Sequence, residues 1–403
     1  MSLQPTYYDF ICKQRPFLAE FAEQDAQDLL ALSHPPLTIQ SVDDYDSRFT
    51  MCLKQIDKGI LNSIAKQTGM SIDQIEPQLE RALPQVRAKF ASLYNTVNLE
   101  YHSLVNFALS GKKTFHFCDN LADHLVNTEI NLKTASIQLP FSTCLFTFTA
   151  RSVIDAMHNI RSNNGRLEIN TAKLDYSAPV SVFLVIYPAD TDLPARKLMI
   201  CAWHAKQPNN SYLMLKRELF LGTDWMLEQA LRTDWETLEP DNFGNGININ
   251  SEVETITQHG DDPFYTDGLT FYRIILNAVL YLSSDQAELS DKMSPCKEIE
   301  DKAKDVTSLS KKRKLLQAIG RYTALDYHEV GSSVGPIVIK KEETKNSESK
   351  RNGSKPLVRF MVRGHWRRQS HGPESQSRKI IWIQPYYKGP DIAVTINKPY
   401  LVK

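Results

Sequence analysis

The hydrophobic periodicity of the chain changes near residue 135, and this change constrains the fold more than any other feature. Before it, apolar residues recur every three or four positions in segments 17–32, 45–60 and 71–111, which is typical of amphipathic helices. After it, short runs rich in β-branched and aromatic residues predict a mostly antiparallel sheet from about 135 to 222. An apolar helix is predicted over 268–284, so we expect an α+β protein whose helices pack on a central sheet.

Three regions are predicted along the chain. They are a helical region at 1–130, an α+β core at 135–335 and a small basic β element at 336–403. Within the last, residues 341–356 contain no apolar residue before the final proline, which predicts a flexible loop. The charged stretch 284–314 is also expected to be mobile.

The formal net charge of zero conceals a strong segregation of charge. From Lys311 to the C-terminus there are 20 basic and 7 acidic residues, a balance of +13, whereas the first 310 residues hold 27 basic and 40 acidic residues. A basic region of this kind predicts contact with an anion, most often nucleic acid. Attraction between the two halves of the same chain is the alternative.

Several classes of protein do not fit the sequence. No apolar run reaches the roughly 18 residues of a membrane helix, and no signal-peptide pattern opens the chain, so no membrane partner is expected. Six scattered cysteines without a CxxC pair favour a reducing, cytoplasmic location. The spacing of His102, His116, Cys118 and His124 matches no common zinc site, so we expect no metal and no cofactor.

The segment 358–390 combines seven Lys/Arg with four Trp/Tyr and a single acid, Glu374. Two strands paired across residues 369–377 would gather these side chains. Guanidinium groups bind phosphates bidentately, and exposed aromatic rings stack on unpaired bases for about 1–3 kcal/mol each. We therefore expect an RNA- or ribosome-binding face formed by Arg363, His365, Trp366, Arg367, Arg368, Arg378, Lys379, Trp382, Tyr386 and Lys388. Arginines that merely stack on neighbouring tryptophans of the same chain are the structural alternative.

Two other functions remain open on the same residues. His365, His371 and an arginine would supply the base, acid and cation of a metal-independent ribonuclease, which makes His365 a weak catalytic candidate. A DNA-binding accessory protein of a phage or plasmid is the other alternative. The remaining large aromatics, including Tyr187, Trp203 and Trp225, are predicted to lie in the core.

The C-terminal segment also carries a recognisable motif. "RGHW" at 363–366, then Gly372, then Trp382 and Pro385 in "RKIIWIQP", resembles the C-terminal motif of the type V-A anti-CRISPR family and of its uncharacterised phage and plasmid relatives. Weaker similarities precede the motif in the same order, in "IQLPFSTCLFTFT" (137–149), "VFLVIYPAD" (182–190), "IILNAVLYLSS" (274–284) and "IGRYTALDYHEVG" (319–331).

The resemblance implies an interaction protein of a mobile element. Members of this family suppress production of the CRISPR effector nuclease, by recognising the emerging effector polypeptide and causing loss of its mRNA. The implied partners are the nascent effector chain and either RNA or the ribosome. The resemblance assigns no catalytic residue.

Overall fold

Strands and helices alternate along the chain after an all-helical start. The structure is a computed structural model that describes residues 3–75, 91–162, 175–187, 196–206, 211–222, 225–227, 229–231, 263–340 and 359–388. The helices are α1 (Tyr7–Gln14), α2 (Pro16–Leu30), α3 (Phe49–Thr68), α4 (Ala91–Leu109), α5 (Asp119–Val126), α6 (Arg151–Ser162), α7 (Pro263–Leu282), α8 (Pro295–Lys304) and α9 (Leu309–Ile319). The strands are β1 (Thr114–Phe117), β2 (Thr128–Glu129), β3 (Thr143–Phe148), β4 (Val180–Tyr187), β5 (Arg196–Lys206), β6 (Ser211–Leu221), β7 (Leu289–Lys292), β8 (Tyr327–Val330), β9 (Ile339–Lys340), β10 (Phe360–Val362), β11 (Gly364–His371), β12 (Ser377–Ile383) and β13 (Tyr386–Lys388). This order confirms the predicted α+β class with a helical N-terminal region.

The central sheet has seven strands in the order β6-β5-β4-β3-β1-β8-β7. Four of its neighbouring pairs are antiparallel, and β1 is parallel to both β3 and β8, so the prediction of a mostly antiparallel sheet is confirmed. The predicted limits of 135–222 contain only β3 to β6. Strands β1, β7 and β8 have four residues each, the shortest length at which an alternating pattern can be recognised, which explains why they were not predicted.

Helices cover both faces of this sheet. Successive side chains of a strand point to opposite faces, and in β4 Val182 and Leu184 join the core that contains α7. The intervening Phe183 and Val185 join the core formed with the N-terminal helices. The protein is therefore a three-layer α–β–α arrangement. Burial on both faces explains why β3 and β4 are apolar almost throughout.

The N-terminal helices form one of these layers. The ring of Tyr7 stacks on Trp203 with centroids 4.7 Å apart, and the Tyr7 backbone N–H donates to Ser181 Oγ at 3.0 Å. The buried Glu100 carboxylate of α4 accepts hydrogen bonds from Arg15 at 2.6 Å and from the Tyr7 hydroxyl at 2.5 Å. Because a buried carboxylate is costly without such partners, this network fixes α1 and α4 against the sheet.

The charged stretch 284–314 contains β7, α8 and the first half of α9, regular elements that were not predicted from the sequence. The N-cap side chain of Ser294 accepts a hydrogen bond from the Cys296 backbone N–H at 3.2 Å, and Pro295 occupies the first turn of α8. Burial of Cys296 and Ala303 then holds α8 against the protein. The high charge of this stretch concealed these elements, because only a few residues, the N-cap Ser294 and the buried Cys296 and Ala303, indicate the helix.

Helix α7 is the most apolar helix and lies in the core, as predicted. One polar residue, Asn277, is fully buried in its middle. Within the part of the chain that the structure describes, no helix combines the length and the hydrophobicity needed to cross a bilayer. The predicted loop 341–356 lies outside the described residues, and the predicted boundaries of the three regions stay a prediction.

Three buried histidines predict that the fold loses stability in mild acid. Burial lowers the pKa of His102, His124 and His204 below the ordinary value of 6.5. Below that pH the unfolded chain binds protons that the folded chain excludes, so the free energy of unfolding should fall as the pH drops. Each histidine contributes up to about 1.4 kcal/mol per pH unit. Urea unfolding at a series of pH values from 7.5 to 5.5 measures this slope.

The ring of His204 allows a direct test of whether buried histidines cause this pH dependence of stability. His204 Nε2 lies 3.1 Å from the Ala178 carbonyl oxygen and Nδ1 lies 2.9 Å from His158 Nε2, so both ring nitrogens are occupied when the ring is neutral. The variant His204→Gln should make the slope shallower. His371→Gln, which removes an exposed ring, is the control. Identical slopes in His204→Gln and the unaltered protein would contradict the prediction.

Candidate nucleic-acid interface

The basic C-terminal segment forms the predicted β-hairpin. Strands β11 and β12 pair antiparallel, with Trp366 opposite Trp382 and His365 opposite Ile383. The connecting turn begins at Gly372, whose φ of 82° lies in the region that favours glycine. Directly paired residues share a face and successive residues alternate, so one face carries both tryptophans and the other carries His365. Residues 364–383 are called the C-terminal hairpin below.

The two tryptophans attach the C-terminal hairpin to the core. Trp366 and Trp382 are only 2% and 3% exposed, and their ring centroids lie 6.2 Å apart at an interplanar angle of 27°. Trp366 Nε1 donates to Asn277 Oδ1 at 2.8 Å, and Trp382 Nε1 donates to Thr128 Oγ1 at 3.1 Å. Asn277 Nδ2 in turn donates to the carbonyls of Leu125 and Thr128 at 3.1 and 2.8 Å. Trp366, Trp382, Asn277 and Thr128 are called the tryptophan lock.

Gly364 permits the close approach of strands around this lock. A β carbon at Gly364 would lie 2.6 Å from Thr128 Oγ1 and 2.8 Å from both the Ile383 carbonyl oxygen and Pro385 Cδ. The Gly364 backbone N–H donates to the Asn127 carbonyl at 2.9 Å, which aligns β11 with β2. The glycine, both tryptophans and the proline of the sequence motif thus all serve packing at one place.

The expectation that Trp366 and Trp382 stack on bases is wrong. Stacking on an unpaired base requires an accessible ring face, and both rings are buried in the core cluster that contains α7. Their indole N–H groups are also already hydrogen-bonded. These two residues therefore position the C-terminal hairpin and do not form part of its outer surface.

The outer half of the C-terminal hairpin presents most of the predicted cations. Residues 367–379, called the hairpin tip, carry Arg367, Arg368, Arg378 and Lys379, and the three arginines are exposed. Strand alternation places Arg368 and Arg378 on the tryptophan side, beyond the core, and Arg367 and Lys379 on the opposite side. The tip is therefore a two-stranded ribbon with cations on both faces. Its single acidic residue, Glu374, lies in the turn.

Few contacts neutralise the charges of the hairpin tip. Lys379 Nζ lies 3.6 Å from Asp285 Oδ2 in a half-exposed ion pair. Arg368 Nη2 donates to the hydroxyl of Ser136 at 3.2 Å, and Arg367 Nη2 donates to Gln369 Oε1 at 3.0 Å, and neither acceptor carries charge. An exposed ion pair contributes only about 0–1 kcal/mol, so a phosphate can compete for these groups.

The remaining predicted residues lie elsewhere. Arg363 lies at the base of the hairpin, where Nη1 is 3.5 Å from Glu129 Oε1. Tyr386 and Lys388 belong to a separate sheet in the order β10-β13-β9, opposite Val362 and Phe360 respectively. The ten predicted residues thus divide into four at the tip, two in the tryptophan lock, and four at the base or in the separate sheet.

The geometry does not support the pair of histidines required by the ribonuclease hypothesis. His365 and His371 both lie in β11, six residues apart. At a rise of about 3.3 Å per residue they are separated by roughly 20 Å, too far to act on one phosphate. Among the described residues, no group of three His, Cys, Asp or Glu side chains is placed to bind a metal ion. His365 lies on the same face as Arg367 but has no second acid–base partner in β11.

The exposure of Trp225 was not predicted from the sequence. Tyr187 and Trp203 are buried as predicted, but Trp225 is 41% exposed. The Trp225 carbonyl accepts a hydrogen bond from the Thr134 backbone N–H at 2.8 Å, and Ser136, in the same 3₁₀ turn, is the residue that contacts Arg368. This turn therefore contacts both the Trp225 backbone and the Arg368 side chain. The sequence had predicted Trp225 in the core with the other large aromatic residues.

The architecture can now be compared with known proteins. A family model described as AcrVA2-like, anti-CRISPR type V subtype A2 family, matches residues 115–387, more than half of the chain. The chain belongs to this family. The resemblance found in the C-terminal motif is thereby confirmed. No curated protein and no solved structure matches the chain.

The AcrVA2-like range corresponds closely to structural elements. It begins within β1 and ends within β13, so it contains the whole central sheet, α7 and the tryptophan lock. Helices α1 to α4, which cover one face of the sheet, lie before it. The R-G-H-W motif therefore identifies the AcrVA2-like fold through its packing. It does not by itself indicate a ligand.

Mutation of the tryptophan lock should destabilise the protein. Trp366→Ala or Trp382→Ala leaves a cavity and unpaired polar groups, and each should lower the free energy of unfolding by about 3–5 kcal/mol. Arg367→Ala, in the same strand but exposed, should change it by less than about 0.5 kcal/mol. Urea unfolding measures all three. If either tryptophan variant kept full stability but lost RNA affinity, that result would support the hypothesis that the ring stacks on a base.

Proposed function

We propose that this AcrVA2-like protein acts during synthesis of a type V CRISPR effector, by recognising the nascent effector polypeptide and promoting loss of its mRNA. In this proposal the hairpin tip and Trp225 bind single-stranded RNA, either the message or an exposed ribosomal segment. The observation that supports RNA binding is the group of four tip cations, joined through the Thr134–Ser136 turn to the segment that carries the exposed Trp225 ring. Recognition of the nascent chain is carried over from the family.

The chemistry of the tip suits a phosphate backbone better than a defined base sequence. Arginine forks bind phosphate oxygens bidentately, and the Lys379 ammonium adds a point charge. Cations on both faces of a two-stranded ribbon can follow an irregular strand, while Trp225 offers a ring on which any base can stack. Such contacts hold an RNA in place without reading its sequence. Selectivity for one message would then come from the nascent peptide.

Removal of two tip cations should weaken RNA binding and its dependence on salt. The double variant Arg367→Ala/Arg368→Ala should bind an unstructured oligouridine less tightly. The slope of log affinity against log salt should fall by about 1.4, since each phosphate contact to a single strand contributes about 0.7. Fluorescence anisotropy at several salt concentrations measures both quantities. Unchanged affinity and slope would remove RNA binding from the proposal.

Two control experiments test whether RNA binding depends on a local site or only on the net charge of the protein. Lys302→Ala/Lys304→Ala removes the same charge from α8, where the lysines pair with Glu298 and Asp301 at 2.5 and 2.8 Å. This variant should keep most of the affinity. Trp225→Ala should weaken binding about fivefold or more, whereas Trp225→Phe should retain most of it because a ring remains. Equal losses in the tip and α8 variants would show that binding depends on net charge alone.

In cells, effector protein and effector mRNA should fall together when this chain is co-expressed. The Arg367→Ala/Arg368→Ala variant should restore both, because the chain would still fold but would no longer hold RNA. An effector whose first residues are replaced, with the rest of its message unchanged, should escape the loss. Immunoblotting and quantitative RT-PCR measure the two levels. Constant protein and mRNA in the presence of the unaltered chain would refute action at the level of synthesis for that effector.

A further inference from the structure

Helix α9 (Leu309–Ile319) is a basic helix with no buried residue. It packs on α8 through a half-buried side formed by Leu315, Ala318 and Ile319, and Cys296 Sγ donates to the Ile319 carbonyl at 3.8 Å. Its outer side is lined by Leu309, Lys312, Arg313, Leu316 and Gln317, which border an open depression. These five residues are called the α9 face.

The cations of α9 are not neutralised by its neighbour. Two of the three carboxylates of helix α8 pair within that helix, Glu298 with Lys302 and Asp301 with Lys304. Among the residues that the structure describes, no ion pair involves any cation of the run Lys311–Lys314. The four adjacent cations of this short helix are all exposed to solvent.

The local sequence of α9 is unfavourable for a helix without a partner. Ser308 occupies the N-cap without a side-chain hydrogen bond, and the first turn has no acidic residue. Cations near a helix N-terminus interact unfavourably with the helix dipole, and an eleven-residue helix is only marginally stable without burial. A negatively charged partner on this helix would relieve both deficits.

Leucines accompany these cations on the α9 face. Leu309 is 83% exposed and Leu316 is 48% exposed. Seven residues separate them, so they lie on one side of the helix about 10 Å apart along its axis. Lys312 and Arg313 lie between them on the same side, whereas Lys311 and Lys314 point elsewhere. The α9 face therefore presents the order leucine, two cations, leucine.

We propose that the α9 face is a docking site for an acidic amphipathic helix of a partner protein. Apolar side chains of that helix would cover Leu309 and Leu316, and its carboxylates would pair with Lys312 and Arg313. Charge complementarity supports an acidic partner, and the exposed leucines support a protein rather than RNA. Phosphates would engage the cations but leave both leucines in water. Two leucines also form a narrower apolar stripe than helices that lie in a membrane surface use.

This site is separate from the RNA contact of the proposed function. It lies on α9, whereas the RNA contact uses the hairpin tip and Trp225, so either can fail without the other. The two surfaces would allow one chain to hold RNA and an acidic protein at the same time.

The test uses the full-length chain and a labelled synthetic helix of about 18 residues, with leucines seven positions apart and two glutamates between them. Its affinity for the unaltered chain is compared with that for Lys312→Glu/Arg313→Glu and for Lys311→Glu/Lys314→Glu. Both variants change the net charge equally on the same helix, but only the first alters the α9 face. Circular dichroism confirms that each variant folds.

We expect the Lys312→Glu/Arg313→Glu variant to lose affinity by about tenfold or more, and the Lys311→Glu/Lys314→Glu variant by less than about threefold. Leu309→Ser/Leu316→Ser should also lose about tenfold. Equal losses in the two charge variants, or full affinity in the leucine variant, would overturn a defined docking face. Oligouridine or phosphatidylserine vesicles that bind α9 in preference to the peptide would overturn it as well, in favour of RNA or a membrane surface.

Discussion

The side-chain amide of Asn277 is the contact on which the arrangement of this fold depends. It is fully buried in the middle of α7, and its two donors and one acceptor join the end of α5, β2 and the C-terminal hairpin. An apolar residue there would leave the Trp366 indole N–H without its acceptor and would remove a donor from the carbonyls of Leu125 and Thr128, and each buried polar group left unpaired costs about 1–3 kcal/mol. A buried polar group with every partner present favours one packing arrangement over its competitors. Asn277 therefore fixes the position of the hairpin on the sheet core.

This attachment divides the C-terminal hairpin into two parts with different roles. Its base is held by the tryptophan lock and by the close approach at Gly364, so it moves only with the core. The hairpin tip extends from that base, and Arg368 also contacts the turn that positions Trp225. A ligand would therefore meet cations whose backbone is already ordered. Binding would cost less conformational entropy than it would on a flexible basic tail.

Local periodicity predicted the elements but not their tertiary partners. The helical start, the central strands and the pairing of β11 with β12 follow from spacing within short windows, and each was predicted. Alternation along β12 places Trp382 and Ile380 on one face, but the sequence does not show that this face meets the core. That depends on Asn277, 89 residues from Trp366 in sequence. Strands β1 and β8 were missed for a similar reason, because four-residue strands depend on parallel neighbours distant in the chain.

The motif that carries the family resemblance and the candidate binding surfaces use different residues. Gly364, Trp366, Trp382 and Pro385 are committed to packing, so a chain can retain all four while its surface charges change. The cations of the basic C-terminal region are likewise distinct from these packing residues. Among the described residues, the lysines and arginines of this region form exposed ion pairs with the acidic part at Arg363–Glu129 and Lys379–Asp285, whereas the cations of α9 and the arginines of the hairpin tip are exposed at the surface. Across the described part of the chain, attraction between its two halves thus involves few of these cations, which supports the proposal of an anionic partner outside the chain.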